Sequence, residues 1–365
     1  MRVAAGCFLL LWWWWVGVAF AATAIPQILW SSPIGSAAAI LDAVYSPLED
    51  AVYTSSADGT VARVSSSTGT VDFTWMVPVV ASTVRIVAPL VLLLLPDGQY
   101  LLIVAVDDDT NSGRILALNP TTQTIVWQYT TLGPTGLGLN VGYIAGTPQL
   151  SLDGTVLYVC QPFGAVTALD TSTGTVVWQV FHQIFGMDSL TLSPDGSLLY
   201  IKTTGSVQLG QDGLHSMDAA NGLLQESQLL TTPITDPLAD NQNNVYVTNL
   251  DNTAVSYNGL DLQNGAMWTT PLNGSGSSSS GVFAPGMHAI HVPAGNHTAK
   301  VQASTGQVLW SRNVGGPQEH SPQVSPDGRY VFCLVSVRGE PTLKKLDALN
   351  GGKYIECAHA HVFAS

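Results

Sequence analysis

The chain has 365 residues, only 10% of them charged, and a formal net charge of −13 at pH 7. Because phosphate binding needs a basic surface, this acidic balance excludes nucleic acid as an expected partner. The 35 glycines, together with many Val, Thr and Ser residues, are typical of short strands joined by tight turns, so we expect an all-β protein.

Residues 1–24 have the features of an export signal. Arg2 supplies a positive start, an apolar run extends from Phe8 to Phe20, and the small residues Ala21 and Ala24 offer cleavage sites. The apolar run is short for a membrane span. We therefore predict a signal peptide at 1–24, a secreted or extracytoplasmic mature protein, and no integral membrane span after its removal. A retained anchor is the alternative.

Beyond the signal, a glycine turn followed about four residues later by a large apolar residue recurs seven times. The clearest copies are Asp170–Trp178 and Ala303–Trp310, and the turns recur at intervals of 41 to 54 residues. A repeat of this length is the signature of stacked structural units. The glycine position is occupied in turn by Gly69, Gln123, Gly174, Gly222, Gly265, Gly306 and Gly351.

A second landmark lies between the glycine turns, and Ser193–Gly196 and Ser325–Gly328 are its best copies, both reading Ser-Pro-Asp-Gly. Asp-Gly between apolar runs predicts a hairpin turn because both positions accept a positive φ. Each repeat then contains four antiparallel strands, and such a sheet cannot bury both faces alone. We predict a seven-bladed β-propeller over 25–358, followed by a tail at 359–365. Eight blades, one of them a partial blade at Gln27–Ser31, are the alternative.

Both motifs resemble known propeller repeats. Asp170–Trp178 fits the pattern Asp-x-x-Thr-Gly-x-x-x-Trp, which resembles the repeat of pyrroloquinoline-quinone-type (PQQ-type) propellers, and the Ser-Pro-Asp-Gly half is similar to YVTN and WD-like repeats. The resemblance implies that the Trp of each outer strand docks on the neighbouring blade. Phe73 and Glu226 replace Trp in two repeats, and at Glu226 we expect a weak blade edge. The docking residues identified in this way are Trp127, Trp178, Trp268 and Trp310.

Polar residues recur four positions before the Ser-Pro-Asp-Gly turns, at the start of the innermost strand of each repeat. Small hydroxyl and acidic groups there would line one mouth of a central channel, which predicts a ligand-binding site. The alternative is that strands crowded round an axis need small side chains. The candidate residues, with their neighbours, are Asp42, Thr147, Asp188, Ser189, Thr235, Asp236, His320 and Ser321.

The loop after Val106 is richer in carboxylates than the corresponding turns of the other repeats. Asp107, Asp109 and Asn111 alternate in the way that oxygen ligands do at the start of a calcium loop. No acidic residue follows at the twelfth position, and Gly113 comes one place late. A solvated hairpin tip is the first interpretation, and a calcium site is the alternative.

Cysteines and histidines offer few further sites. Cys333 and Cys357 fall in the last repeat, where they could pair across one sheet, and Cys160 is interpreted as core packing. His288 and His291 are three residues apart on a presumed strand, hence on opposite faces, and are interpreted as surface histidines.

Export makes two N-glycosylation sequons usable in a eukaryotic host. They begin at Asn273, which lies at the edge of a serine-rich linker, and at Asn296. Both asparagines are therefore candidate glycosylation sites of a secreted glycoprotein.

Two classes of function are consistent with these observations. The first is an exported, non-enzymatic and monomeric scaffold that binds a protein or small-molecule ligand and needs no cofactor. The second is a metal-dependent or PQQ-dependent enzyme, such as an alcohol dehydrogenase-like oxidoreductase. The resemblance implies that such dehydrogenases are longer, have eight blades, and carry an adjacent cysteine pair over the quinone. This chain has no adjacent cysteine pair, so we favour the scaffold.

Overall fold

The computed structural model describes residues 2–3, 32–33, 40–47, 49–77, 84–95, 98–108, 113–131, 144–182, 184, 186–205, 211–232, 234–274, 280–318, 321–325, 327–337 and 340–357, and the structural statements below concern these residues. The predicted signal peptide, apart from Arg2–Val3, the strand Gln27–Ser31 and the tail at 359–365 lie outside them. No helix in the described part of the chain is long and apolar enough to cross a membrane.

Seven antiparallel sheets follow one another along the described chain, six of four strands and one of five. Within each sheet the strands pair in sequence order, except that both short inner strands of the second sheet pair with the same neighbour. Two further short strands, Arg2–Val3 and Ser32–Pro33, pair with each other. Consecutive four-stranded sheets of this kind are the blades of a β-propeller, so the predicted all-β propeller fold is confirmed, with seven blades among the described residues.

The strands of the seven sheets have the following bounds. Sheet 1 contains Ile40–Ser46, Ala51–Ser56, Thr60–Ser65 and Val71–Met76; sheet 2 contains Val84–Ile86, Val91–Leu94, Tyr100–Asp108, Gly113–Asn119 and Thr124–Thr130; sheet 3 contains Ala145–Leu150, Val156–Cys160, Ala165–Asp170 and Val176–Phe181. Sheet 4 contains Met187–Leu192, Leu198–Thr203, Gly213–Asp218 and Leu224–Leu229; sheet 5 contains Leu238–Ala239, Asn244–Thr248, Thr253–Asn258 and Ala266–Pro271. Sheet 6 contains Val282–Phe283, Ala289–Ala294, His297–Gln302 and Val308–Asn313; sheet 7 contains Gln323–Val324, Tyr330–Val337, Glu340–Asp347 and Lys353–Cys357, and one 3-10 turn spans Leu262–Asn264.

The hairpin turns form for local reasons that the motif encodes. In sheet 4, Asp195 accepts hydrogen bonds from the Ser193 hydroxyl at 2.6 Å and the Ser197 amide at 3.0 Å. The Ser193 hydroxyl oxygen in turn accepts from the Leu198 amide at 2.9 Å. Gly196 has a φ of +75°, which favours glycine. The turn therefore satisfies its own backbone groups, and this explains why the sequence pattern recurs.

The chain divides into two compact units, chiefly Pro33–Leu230 and Thr231–Phe363. The first contains sheets 1 to 4, and apolar clusters fill the space between each successive pair of its sheets. The second contains sheets 5 to 7, and similar clusters lie between sheets 5 and 6 and between sheets 6 and 7. The core of each unit is thus a series of layers between neighbouring sheets.

The structure does not place Cys333 and Cys357 where a disulfide could join them. Cys333 is a free, buried thiol that contacts the Thr298 hydroxyl at 3.2 Å, and burial raises its pKa to about 11. Strand Glu340–Asp347 lies between the strands that carry Cys333 and Cys357. Two strand spacings of about 4.8 Å exceed the reach of a disulfide. Cys160 is fully buried, and its thiol donates to the Ala145 carbonyl at 3.2 Å.

Candidate functional site

The outer-strand tryptophans dock on the next sheet through hydrogen bonds of one type. In each case the indole N–H donates to a backbone carbonyl just before the glycine turn of that sheet. The pairs are Trp127 with Thr171 at 2.7 Å, Trp178 with Ala219 at 3.2 Å, Trp268 with Ala303 at 2.9 Å and Trp310 with Ala348 at 3.1 Å. Their N–H donors and ring faces are therefore committed to packing within the protein.

The glycine of one repeat and the Trp of the preceding repeat are in contact. A Cβ added to Gly174 would lie 2.5 Å from the Trp127 ring, and one added to Gly306 would lie 2.6 Å from the Trp268 ring. The glycine is thus needed for the close approach of the ring as well as for its positive φ. Sequence reasoning identified both residues but not their contact, since they belong to different repeats.

Two of the four Trp contacts lie within the first unit and two within the second. The first unit ends after sheet 4, which lacks the Trp. Sheet 4 has Glu226 at this register position, directly opposite Ser216. One Glu226 carboxylate oxygen and the Ser216 hydroxyl are buried without a hydrogen-bond partner among the described residues. The boundary at Leu230/Thr231 follows immediately. The predicted weak edge at Glu226 stays a prediction.

Three of the predicted site residues lie together in the first unit, at the heads of the innermost strands of sheets 3 and 4. A Cβ added to Gly146, next to Thr147, would lie 2.8 Å from the Asp188 carbonyl oxygen and 2.9 Å from the Ser189 Cα. Thr147 is half-buried, Ser189 is buried and Asp188 is exposed. The register shifts between Met187 and Ser189, and this irregularity accompanies the exposure of the Asp188 side chain.

Sequence reasoning missed the charged partner of Asp188. Lys202 Nζ lies 2.6 Å from Asp188 Oδ2, with the Lys202 side chain 10% exposed and the Asp188 side chain 49% exposed. The ammonium is buried, so it needs the carboxylate, while the carboxylate still meets solvent. The signal was available: Lys202 is the one charged residue in the apolar strand Leu198–Thr203.

The other predicted site residues belong to the second unit or lack a described side chain. Thr235 is buried and forms two hydrogen bonds with the Thr248 backbone, at 2.8 and 3.1 Å, so its role there is structural. Asp236 is exposed and Ser321 is half-buried. Asp42 lies on strand Ile40–Ser46, and His320 lies outside the described residues. A ring of all eight residues therefore stays a prediction.

The predicted calcium loop is described at one ligand only. Asp107 pairs with Gly113 across the hairpin, and its carboxylate accepts from the Ile144 amide at 3.4 Å. Asp109 and Asn111 lie outside the described residues. Within the described ranges, no three His, Cys, Asp or Glu residues come together in a way that could hold a metal ion. Calcium at this loop remains an untested alternative.

The histidine interpretation was wrong for one of the two residues. His288 is exposed, whereas His291 is fully buried beside Trp310, with ring centroids 5.4 Å apart. Neither His291 ring nitrogen has a hydrogen-bond partner among the described residues. Because a charged imidazole would be desolvated there, burial lowers the pKa of His291 to about 3, and the nearby Lys300 and His288 add to the shift.

The two sequons differ in accessibility. Asn273 is exposed, whereas Asn296 is half-buried and its carboxamide oxygen lies 2.8 Å from His297 Nδ1. The hydroxyl of the second sequon, on Thr298, is fully buried. Glycosylation at either asparagine stays a prediction.

Comparison with known proteins identifies the repeat. A family model described as outer membrane protein assembly factor BamB matches residues 21–183, 111–224 and 162–331. The crystal structure of BamB from Moraxella catarrhalis is 14% identical with a TM-score of 0.60, covering 87% of this chain and 87% of that one. A europium-containing methanol dehydrogenase is 14% identical with a TM-score of 0.64, covering 86% of this chain and 77% of that one. Such low identity shows a shared fold, and no curated protein matches the chain.

Proposed function

The chain belongs to the family described as outer membrane protein assembly factor BamB, and from this premise we propose that it is an extracytoplasmic scaffold that binds a protein partner. We infer that the partner contacts the polar strand heads of the first unit. The Asp188–Lys202 ion pair carries this proposal, because the half-exposed Asp188 carboxylate, held in place by a buried ammonium, offers a charged anchor that solvent and a partner can reach.

Site-specific photocrosslinking in the exporting cell tests this proposal. A photoreactive residue at position 188 is expected to give a discrete crosslinked product. The same residue at Leu152, which is 67% exposed in a turn at the opposite end of sheet 3, is the matched control. Equal products from both positions, or none from position 188, would contradict a partner site at the strand heads.

An oxidoreductase is the second candidate, and the similarity to a methanol dehydrogenase structure is the observation that favours it. A quinone cofactor needs a metal held by acidic and amide groups and a flat surface for stacking. Two observations support the scaffold proposal instead: the described residues form no cluster of three or more His, Cys, Asp or Glu side chains, and the four docking Trp side chains donate to backbone carbonyls.

The quinone itself separates the two candidates. Purified protein is mixed with PQQ and calcium, and its thermal midpoint and dye-linked alcohol oxidation are measured. The scaffold proposal expects no shift of the midpoint and no oxidation. A clear shift accompanied by dye reduction would overturn it in favour of the enzyme.

A further inference from the structure

A chain of hydrogen bonds crosses the three outer strands of sheet 4, beginning at Thr203, which lies opposite Met187 in the register. His215 lies directly opposite Ser227 of the outer strand. Its Nδ1 is 2.9 Å from the Ser227 hydroxyl, and its Nε2 is 3.2 Å from the Thr203 hydroxyl. Thr203 itself donates to the Gln211 carbonyl at 2.6 Å.

These contacts determine where the protons are. A carbonyl can only accept, so the single hydroxyl hydrogen of Thr203 is used on Gln211. Thr203 must then accept from His215, which places the imidazole hydrogen on Nε2. The lone pair on Nδ1 is left to accept the hydroxyl hydrogen of Ser227. A serine that donates to a neutral imidazole held in one tautomer is the pairing found in nucleophilic serines.

The environment shields the base and leaves the serine residue partly exposed. His215 is 3% exposed, and burial lowers its pKa to about 4, with the neighbouring His182 adding to the shift. His215 is therefore neutral at pH 7. Ser227 is only half-buried and lies on the outer edge strand of its sheet.

The backbone amide of Ser227 also has a suitable direction. The Leu230 amide donates inward to the Asp212 carbonyl, and inward and outward amides alternate along an antiparallel strand. The amides of Leu229 and Ser227 therefore point away from sheet 4. When Ser227 attacks an ester, the negative charge forms on the former carbonyl oxygen of the ester, and this N–H is a donor that could stabilise it.

We propose that Ser227 is a nucleophilic serine that accepts an acyl group from esters of short apolar acids. The Ser227 oxygen attacks the ester carbonyl while its proton passes to His215 Nδ1. The ester C–O bond then breaks, and the departing alcohol takes that proton. Water later hydrolyses the acyl-serine by the same route. Leu229, two residues along the same strand face and 57% exposed, supplies an apolar surface for the acyl chain.

The experiment uses the full chain with p-nitrophenyl butyrate as the probe. Peptide mass spectrometry is expected to locate a butyryl group on Ser227, formed about 100-fold faster than on the exposed Ser197, which serves as internal control. Ser227→Ala should lose the burst of p-nitrophenolate, and His215→Gln should slow it about 100-fold. Acylation of Ser227 no faster than of Ser197 would overturn the proposal.

A second variant keeps the test decisive if His215→Gln does not fold. Thr203→Val preserves the side-chain shape but removes the acceptor that holds the tautomer, so Thr203 acts as a positioning residue. We expect wild-type acylation to stay constant from pH 8 to about 5 and to fall as His215 is protonated near pH 4, and Thr203→Val should shift this profile. An unchanged profile and rate in Thr203→Val, or a wild-type profile centred near pH 6.5, an ordinary histidine value, would contradict the role of His215.

Discussion

Acid should destabilise the second unit through one histidine. His291 is fully buried and its two ring nitrogens have no partner among the described residues. Desolvation, the charge of Lys300 and the proximity of His288 all oppose its protonation, which lowers its pKa from 6.5 to about 3. The unfolded chain therefore binds a proton on this residue at a much higher pH than the folded chain does.

The direction and size of the effect follow from this difference. Above pH 6.5 both states are neutral at His291, and its contribution to stability is complete. As the pH falls toward 3, unfolding takes up a proton and stability is lost at about 1.4 kcal/mol per pH unit. At pH 5 the loss amounts to about 2 kcal/mol relative to pH 8.

The assay is urea unfolding followed by Trp fluorescence at several pH values between 8 and 4.5. His291→Phe is the test variant, because Phe332 occupies the same register position in sheet 7. As the pH falls, we expect the free energy of unfolding of this variant to decrease less steeply than that of the wild type. The difference in slope should be about 1.4 kcal/mol per pH unit, which corresponds to one bound proton. His288→Gln changes an exposed histidine and should keep the wild-type slope.

Equal pH slopes in wild type and His291→Phe would refute the reasoning, since they would mean that His291 is protonated equally in both states. If the unfolding free energy of His288→Gln also depended less steeply on pH than that of the wild type, the effect could not be attributed to His291 alone. Other groups, such as the buried His215, contribute to the slopes of all three proteins and cancel in the comparison.

The remaining predictions concern the docking contacts and the strand-head ion pair. Gly174→Ala should lower the unfolding free energy more than Gly265→Ala, because both positions have a positive φ but only a Cβ at position 174 meets a ring, at 2.5 Å; equal losses would leave only the backbone effect. Trp127→Phe should cost about 1–3 kcal/mol in urea unfolding, since it leaves a buried backbone carbonyl without its donor, and a change below about 0.5 kcal/mol would contradict the docking role. Asp188→Asn should destabilise more than Lys202→Met at pH 7, because only the former removes the carboxylate that faces a buried ammonium, and the reverse order in thermal unfolding would be inconsistent with that reasoning.

Much of the fold was predictable because its determinants are local. The Ser-Pro-Asp-Gly turn at Ser193–Gly196 satisfies its own backbone groups within six residues, so the pattern can be recognised without any distant contact. Even the degenerate repeat keeps the turn, since Gln123 adopts a φ of +56° where the other copies have glycine. A period repeated along the chain then predicted four-stranded blades.

The sites could not be predicted in the same way, because cross-strand register and burial decide them. Periodicity placed Asp188 at a strand head but did not show its pairing with Lys202, which depends on a bulge. His291 was interpreted as a surface residue, yet its strand is buried on both faces, so alternation does not indicate exposure.

By itself, then, the sequence determined the turns, the strand pattern and the identity of the docking Trp residues, because each of these depends on short-range geometry or on a repeated motif. Only the tertiary structure decided that the Trp127 ring packs on Gly174 of the next repeat, and that the Ser227 hydroxyl is hydrogen-bonded to His215 on the neighbouring strand. Such contacts join residues that are distant in the chain, and their chemistry depends on which neighbours exclude water.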